Sequence, residues 1–414
     1  MLNKNVPFIK NALSIPKYLS IKNMSAGTVA AIICCTGPVL IVITAAQNGN
    51  LTTSQTISWL FGIYFVGGLL GIIMSLLFGQ PIAGAYSIPS AVLMTQAITQ
   101  YSFNEAVGAY LIAGSLIFII GFLGWFDRLL IWLPSELVMA MIAGSMIHFG
   151  TDMIKSLSML PLLGTITLLS YFIFAKIFPK IPPIIGAVIV GFTLFPFLAQ
   201  SSSKMNFTFE MPAIWMPDFS LSAILAISIP ITVMLLSTES AQGITVLKDE
   251  GYQPQAKKII MISGIGTMFA GIFGGHSACM GGIMSALCAS KDVGPKETRY
   301  VAAFISGVWL VIFGLLASLS LSFILLMPQS LIKLIAGLAL IGVLLKSLQR
   351  SFHGKQFQLG AFFTLIIAMS GVNFLGISAT FWALIGGWIV SWFLEKKDFK
   401  QRISSSTVIS SKAA

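Results

Sequence analysis

The sequence predicts an all-α protein that crosses a membrane in about fourteen segments, arranged as two inverted repeats of seven. Three observations support this fold class: an extreme composition, long apolar runs, and two unusual segments that match each other half a chain apart. Apolar residues make up 56% of the 414 residues, and charged residues only 9%. Soluble globular chains carry roughly 25% charged residues, so this chain lacks the charge to cover a water-facing surface.

The apolar runs are long enough to cross a bilayer as helices. About 20 helical residues span the hydrocarbon core, and backbone groups in lipid must be paired within a helix or a closed barrel. The runs are too long and continuous for barrel strands, so we expect helices. The predicted spans lie near 25–47, 54–78, 80–100, 104–126, 129–150, 156–178, 182–200, 220–246, 257–274, 275–290, 297–324, 329–348, 357–371 and 374–395.

The positions of lysine and arginine predict the orientation, because these residues are retained on the cytoplasmic side of spans. With the N-terminus placed inside, 24 − 3 = 21 basic residues fall on the cytoplasmic side, and only Lys155, Lys204 and Lys333 fall outside. We therefore expect a multi-pass protein of the bacterial inner membrane with both termini in the cytoplasm. The net charge of +11 then reflects topology, and no nucleic-acid partner is expected.

The predicted domain order follows from these spans. It comprises a cytoplasmic N-terminal tail at 1–23, a first repeat at 24–200, an extracytoplasmic linker at 201–218, a second repeat at 219–396 and a cytoplasmic C-terminal tail at 397–414.

The third and tenth segments depart from ordinary transmembrane composition and match each other. The third starts at Phe78 and the tenth at Phe273; both begin with Phe-Gly and place Ser-Ala twelve residues after that Phe. The offset is 273 − 78 = 195, close to half the chain. Because seven is an odd number of spans, the second repeat must lie inverted relative to the first.

Each of these two segments is predicted to be an extended stretch followed by a half-helix. Pro81 and Pro89 cannot both lie within one continuous helix, so a half-helix is expected to start near Ser87 to Ser90. The glycine-rich tenth segment predicts another that starts near Gly281. Broken helices in matching places of two halves indicate a transporter binding site, and their N-termini suit an anionic group. The alternative, that the glycines only allow close helix packing, stays open.

Glu239 is an acidic residue well inside the eighth predicted span. An ionisable residue at that depth costs at least about 2.5 kcal/mol and usually marks a pathway. Since a carboxyl group buried away from water can exchange a proton near neutral pH, Glu239 is predicted to couple to protons, to contact substrate, or both. The alternative is an interfacial glutamate that faces water about two turns before Lys248.

His276 lies in the extended part of the tenth segment. It is predicted either to titrate or to donate a hydrogen bond that holds the broken backbone. The candidate substrate-binding residues are Tyr86, Ser87, Ser90, Glu239, Gln242, His276, Ser277, Cys279, Met280 and Gly281, and the candidate proton-coupling residues are Glu239 and His276. No catalytic residue, metal site or cofactor is predicted, since no metal-ligand spacing or nucleotide-binding motif occurs.

Three stretches resemble the benzoate/proton symporter (BenE) family. They are Phe-Gly-Gly-His at 273–276, Gly-Ile-Thr-Val-Leu at 243–247 leading to Gly-Tyr at 251–252, and Tyr-Ser-Ile-Pro-Ser-Ala at 86–91. The resemblance runs over nearly the whole chain. That family is related to the nucleobase permeases and sulfate-type anion carriers, whose fold is a 7+7 inverted repeat.

The resemblance implies proton-coupled symport of a small aromatic carboxylate such as benzoate. It also implies core spans at 24–127 and 219–324, gate spans at 128–200 and 325–396, and substrate bound between the third and tenth segments, opposite the eighth. Members of that fold are often dimers that contact each other through the gate domain, so a homodimer is expected.

Other functions remain open at this point. The acidic Glu239 resembles the nucleobase permeases more than the Ser-Gln-Asn stretch of the benzoate family, so a nucleobase or another small organic solute is an alternative substrate. An anion channel would use the two half-helix dipoles as an electropositive filter. A membrane-embedded enzyme would need paired catalytic groups at bilayer depth, where only Glu239 and His276 qualify, so we expect no enzyme.

Overall fold

Helices account for nearly all regular structure in the computed structural model, which describes residues 7–178, 182–198, 209–399 and 401–402. In the first half the helices are α1 (Pro7–Tyr18), α2 (Ile21–Asn48), α3 (Thr53–Phe78), α4 (Ile88–Ala97), α5 (Phe103–Leu123), α6 (Phe126–Trp132), α7 (Ser135–Met159), α8 (Pro161–Ile177) and α9 (Pro183–Leu198). In the second half they are α10 (Leu221–Asp249), α11 (Ala256–Ile272), α12 (Gly282–Ala289), α13 (Tyr300–Leu315), α14 (Ala317–Leu325), α15 (Gln329–Phe352), α16 (Gln358–Ser370) and α17 (Ala379–Leu394). Two short strands are β1 (Gly84–Ala85) and β2 (Cys279–Met280). Of the predicted tails and linker, residues 1–6, 201–208, 400 and 403–414 lie outside the described residues.

The described helices confirm the predicted class of polytopic helical membrane protein. Seven are long and apolar enough to cross a bilayer: α2, α3, α5, α7, α10, α15 and the segment Lys296–Leu315 that contains α13. Large apolar side chains such as Phe172, Phe197 and Phe269 are exposed on the surface, where hydrocarbon rather than water is the suitable solvent. Because α8, α9, α16 and α17 have only 10–17 residues each, the count of fourteen crossing segments stays a prediction.

Helix packing follows a two-fold pattern between the halves. α3 packs on α13, and α5 packs on α11. These are the second segment with the eleventh and the fourth with the ninth, which exchange under a repeat of seven. The pairs α8 with α9 and α16 with α17 exchange in the same way. This is the packing expected of two equivalent halves.

The equivalent pairs rely on small residues at their contacts. A Cβ atom added at Gly264 of α11 would lie 2.5 Å from the backbone nitrogen of Phe118 on α5, and one at Gly307 of α13 would lie 2.7 Å from the Gly68 carbonyl oxygen on α3. Only glycine permits these backbone approaches, which replace a hydrophobic driving force between helices in lipid.

β1 and β2 cross at the centre of the two-fold arrangement. They pair antiparallel, with Gly84 opposite Met280 and Ala85 opposite Cys279. By the repeat offset Gly84 corresponds to Cys279 (279 − 84 = 195) and Ala85 to Met280 (280 − 85 = 195). Each residue therefore pairs with the counterpart of its neighbour, which is what a two-fold axis through the crossing requires.

A hydrogen bond from a neighbouring helix stabilises a break in α2. The helix is interrupted at Thr36, and Pro38 lacks the N–H that would bond the Cys34 carbonyl four residues earlier. Tyr64 Oη donates to that carbonyl oxygen at 2.9 Å instead. Tyr64 lies in a π-helical turn at Gly62–Val66 of α3, so an irregular turn in one helix satisfies the broken turn of another.

Candidate functional site

The first half-helix, α4, begins where the sequence predicts and caps its own N-terminus. Ser87 is the residue before the helix, and Pro89 lies in the first turn, where its missing N–H costs nothing. Ser87 Oγ accepts hydrogen bonds from the Ser90 backbone N–H at 3.3 Å and from Ser90 Oγ at 2.9 Å. Because the backbone N–H and the hydroxyl of Ser90 both donate to Ser87 Oγ, this N-terminus is partly closed to an external anion.

The second half-helix, α12, begins at the predicted place but borrows its cap from another helix. Gly281 precedes it and has no side chain that could cap. The free N–H of Gly282 donates instead to Glu239 Oε2 at 3.0 Å. Glu239 is only 9% exposed and lies in a π-helical turn of α10 at Leu235–Ser240. Such turns are frequent at functional sites, and here the turn brings a carboxyl group to a positive helix end.

Gly282 allows α12 to come this close to α10. A Cβ atom at this position would lie 3.0 Å from the Glu239 carbonyl oxygen and 3.0 Å from Gln242 Cβ. The glycine is therefore needed to bring the N–H groups of α12 against the polar face of α10. Gly282 is therefore a packing residue at the contact of α12 with α10, and the role of the tenth-segment glycines in a binding site stays a prediction.

His276 lies buried at the crossing with both ring nitrogens occupied. Trp59 Nε1, which can only donate, donates to His276 Nδ1 at 3.0 Å. His276 Nε2 is 3.1 Å from the Ser87 carbonyl oxygen and must carry the proton to bond it. The ring is therefore neutral, with its tautomer set by these two partners. Of the two roles left open for His276, this geometry favours the hydrogen bond that holds the broken backbone.

Most of the other candidate residues also belong to this crossing network. Ser277 Oγ accepts from the Ser87 backbone N–H at 3.0 Å, and Tyr86 Oη lies 3.0 Å from Tyr64 Oη. The Gly281 N–H donates to the Ala83 carbonyl at 2.9 Å. Cys279 and Met280 form β2 and are fully buried. These groups tie the two halves together at their axis.

A cavity of about 230 Å³ lies beside the crossing, between the half-helices and α7 and α15. Only Glu239 and Gln242 among the ten candidate residues line it. The complete lining is Ile88, Pro89, Met139, Ile142, Thr238, Glu239, Gln242, Ile283, Ala339, Gly342, Val343, Lys346, Ser347 and Arg350. Drug-sized ligands occupy roughly 300–1,000 Å³, so this space fits a smaller solute with one apolar body and one polar end.

Two cationic residues that line the cavity were not predicted as site residues, because their charges were explained by the orientation of the chain in the membrane. Lys346 and Arg350 lie one turn apart on α15 and are exposed at the cavity. Within the described part of the chain neither forms a salt bridge. A signal was present, because Lys346 falls inside the predicted span 329–348 and ionisable residues within spans indicate function.

The cavity opens toward one end of α15 and is closed at the other. Its lining on α15 runs from Ala339 to Arg350, which is about 16 Å along a helix axis. The exposed Lys346 and Arg350 mark the open end, which the distribution of basic residues predicts to be cytoplasmic. We infer that the opposite end is closed, because hydrogen bonds join distant segments of the two halves: Tyr101 Oη to the Gly376 carbonyl at 2.5 Å and Ser378 Oγ to the Ala226 carbonyl at 3.3 Å.

A protein-family model matches most of this chain. The family model described as "Benzoate membrane transport protein" (BenE) matches residues 17–393. A protein named "Benzoate membrane transport protein" from Acinetobacter baylyi (strain ATCC 33305 / BD413 / ADP1) is 31% identical over 373 residues, which cover 90% of this chain and 94% of that protein. "Inner membrane protein YdcO" from Escherichia coli (strain K12) is 28% identical over 367 residues, covering 87% and 93%.

Solved structures with the same fold include two transporters. The transmembrane domain of a cyanobacterium bicarbonate transporter, BicA, has a TM-score of 0.60 at 14% identity, with 90% of this chain and 97% of that chain covered. SLC26A9 has a TM-score of 0.64 at 14% identity; the match covers 92% of this chain and 66% of that one. At these identities the likeness concerns the fold alone, and this is the fold class that the sequence predicts.

Proposed function

Because this chain belongs to the BenE family of benzoate membrane transport proteins, we propose that it is a proton-coupled symporter of a small aromatic carboxylate such as benzoate. The family match and the Acinetobacter baylyi relative by themselves establish that the chain is a membrane transporter. The family and its Acinetobacter baylyi member are named for transport, which bears out the expectation that the chain is not an enzyme.

The observation that carries the proposal is Glu239 bonded to the N-terminus of α12 at the edge of the cavity. An ionised carboxylate there already occupies the positive helix end, which would otherwise attract the carboxylate of a substrate. A proton on Glu239 Oε2 removes the negative charge and weakens that oxygen as a hydrogen-bond acceptor for the Gly282 N–H. Proton uptake then makes room for an anion, which links the binding of proton and substrate.

The apolar side of the cavity supports an aromatic solute. Ile88, Pro89, Met139, Ile142 and Ile283 form part of its lining. A flat ring against these side chains gains the hydrophobic free energy of about 25 cal/mol per Å² of apolar surface buried. Polar side chains, among them Glu239, Gln242 and Lys346, line the rest of the same space, so a solute with an apolar body and a polar end matches both kinds of lining.

Alternating access is proposed to come from movement of the core spans (24–127 and 219–324) against the gate spans (128–200 and 325–396). Support comes from the position of the cavity, which has α4, α10 and α12 on one side and α7 and α15 on the other. The hydrogen bonds of Tyr101 and Ser378 join the same two sets of spans at the closed end. Breaking these bonds and closing the gap near Lys346 would expose the site to the opposite side.

Orientation, localisation and assembly belong to the same proposal. The protein is placed in the bacterial inner membrane with both termini cytoplasmic, as the distribution of Lys and Arg favours. The name of the Escherichia coli relative, an inner membrane protein, supports that location. A homodimer through the gate spans is proposed from the family resemblance.

The test is uptake of radiolabelled benzoate into proteoliposomes, with and without an inward proton gradient. We expect accumulation that collapses on addition of a protonophore. Glu239→Ala should lower uptake on the order of tenfold or more. Glu239→Gln, which cannot ionise, should retain exchange of labelled for unlabelled benzoate but lose gradient-driven accumulation. Accumulation that ignores the proton gradient would contradict the coupling.

A nucleobase permease remains the second candidate, because Glu239 provides an acceptor that suits ring N–H groups. Competition of unlabelled uracil or xanthine with benzoate uptake separates the two. A channel would instead give high flux without exchange of labelled for unlabelled solute.

A further inference from the structure

The cavity holds three charged residues among the described residues that line it: Glu239, Lys346 and Arg350. Glu239 is already committed to the Gly282 N–H. The two cations have no carboxylate partner among the described residues. Lys346 and Arg350 therefore give the cavity positive charge that no described carboxylate contacts directly. This charge comes from α15, not from the half-helices.

Lys346 is the deeper of the two cations. Ala339, Gly342, Val343, Lys346 and Arg350 recur at spacings of three and four residues, so they form one stripe along α15. Arg350 lies two residues before the end of α15 at Phe352, whereas Lys346 lies about 6 Å further in. Lys346 is near enough to Glu239 for their charges to interact, although the two make no direct ion pair.

We propose that Lys346 binds the carboxylate of the transported solute from the gate side and thereby sets the preference for anionic over neutral substrates. This inference rests on the proposed function and names a residue that neither the fold nor the family match assigns. With Glu239 ionised, its charge balances that of Lys346 across the cavity. With Glu239 protonated, the ammonium group lacks a counter-charge, and an incoming carboxylate supplies one.

The location of Lys346 on α15, one of the gate spans, also favours release of the substrate during transport. Glu239 and the two half-helices lie on the core spans, while Lys346 belongs to the gate spans. A carboxylate held between them would lose one of its partners when core and gate move past each other. A substrate shifts such an equilibrium only through a difference in its contacts between the two states, and Lys346 provides that difference.

A bland role for Lys346 is a residue near the membrane surface whose charge extends to water while its stem packs against apolar neighbours. Lys258 on α11 is exposed and lies on the same predicted side of the membrane, outside the cavity. Lys258→Gln removes the same charge from that side and is the matched control for Lys346→Gln.

The experiment measures equilibrium binding and exchange of benzoate and its neutral isostere benzamide by the purified full-length protein. We expect Lys346→Gln to weaken benzoate binding about tenfold or more, as loss of a charge-assisted contact does, and to lower the benzoate-to-benzamide preference by the same factor. Lys346→Arg should restore most of the preference, and Lys258→Gln should match the wild type. Size-exclusion profiles check folding, and Lys346→Met serves as the second neutral variant.

The possible results distinguish a failure of the proposed role of Lys346 from a failure of the proposed function. If the wild type transports benzoate and both neutral variants keep its affinity and preference, the role of Lys346 is overturned and the function stands. If the wild type binds no carboxylate but takes up a neutral nucleobase, the function and the inference both fall. A selective loss of benzoate binding rescued by arginine supports both.

Discussion

At the scale of single residues, Glu239 and His276 separate into two kinds of polar group. Both are buried and were candidates for proton coupling. Glu239 has one bond to a helix end and borders a cavity, so its proton and its partner can change. His276 has both nitrogens bonded within the protein, to Trp59 and to Ser87, so a second ring proton would break the bond from Trp59.

We therefore predict that His276→Ala damages stability more than coupling. The change leaves the buried Trp59 N–H without a partner, at about 1–3 kcal/mol for an unsatisfied group. It also removes one of the two hydrogen bonds to the Ser87 carbonyl, which keeps the bond from the Ala91 N–H. Thermal unfolding in detergent should show a lower midpoint. The remaining folded protein should keep the wild-type pH profile of benzoate uptake.

The exposed His353 beyond α15 supplies the matched control, and His353→Ala should leave both measurements unchanged. A His276→Ala protein with wild-type stability and an altered pH profile would instead assign the titrating role to His276.

Sequence could locate Glu239 but not the partners that define these roles. An acidic residue inside an apolar span is visible in any single segment. Trp59 lies 276 − 59 = 217 residues from His276, and nothing local to either residue indicates the pair. Lys346 was visible, yet its charge also satisfied the positive-inside rule, and that explanation hid its place in a cavity.

At the scale of elements, the two half-helices differ in how their N-termini are satisfied. α4 uses its own Ser87, whereas α12 relies on Glu239 from α10. Prolines and glycines made both starting points predictable, because they exclude a continuous helix. The asymmetry was not predictable, since it depends on the π-helical turn that positions Glu239. It leaves the N-terminus of α12 as the one whose partner can be exchanged.

This asymmetry predicts that Gly282→Ala impairs transport without unfolding the protein. The added Cβ would press on the Glu239 carbonyl and on Gln242, so α12 must move away from α10 and the bond from the Gly282 N–H to Glu239 lengthens. We expect benzoate uptake to fall by about tenfold, the equivalent of 1.4 kcal/mol. Initial rates in proteoliposomes measure the change.

Gly150→Ala is the control, since the nearest atom to a Cβ there is Leu344 Cδ2 at 3.8 Å. It should transport normally. Normal uptake by Gly282→Ala would mean that the close approach of α12 to α10 is not required.

At the scale of the whole molecule, the repeat architecture explains where function lies. Two equivalent halves meet at β1 and β2, and the buried hydrogen bonds around His276 and Tyr64 fix that axis. The cavity lies off the axis, against α7 and α15, and it opens at one end only. A fixed crossing beside a one-sided opening is the arrangement that alternating access requires, because the site can stay intact while its exposure changes.

The side of the membrane from which the cavity is accessible can be measured by cysteine labelling. A cysteine at Val343, which lines the cavity on α15, should react with a membrane-impermeant maleimide from the cytoplasmic side, and benzoate should slow the reaction. Cys35→Ser serves as the background, because the other three native cysteines are buried. Tyr101→Phe removes the hydrogen bond to Gly376 at the closed end and should shift the population away from the cytoplasm-open state, lowering the labelling rate.

Inside-out and right-side-out vesicles distinguish the two faces in the same assay. Labelling from the cytoplasmic face supports the orientation derived from Lys and Arg together with the position of the open end. Labelling confined to the opposite face would invert the topology while leaving the cavity and its residues in place. A Tyr101→Phe protein that labels as fast as its parent would show that this bond does not hold the outer end closed, and closure would then depend on packing such as that of Gly37 against Ala339.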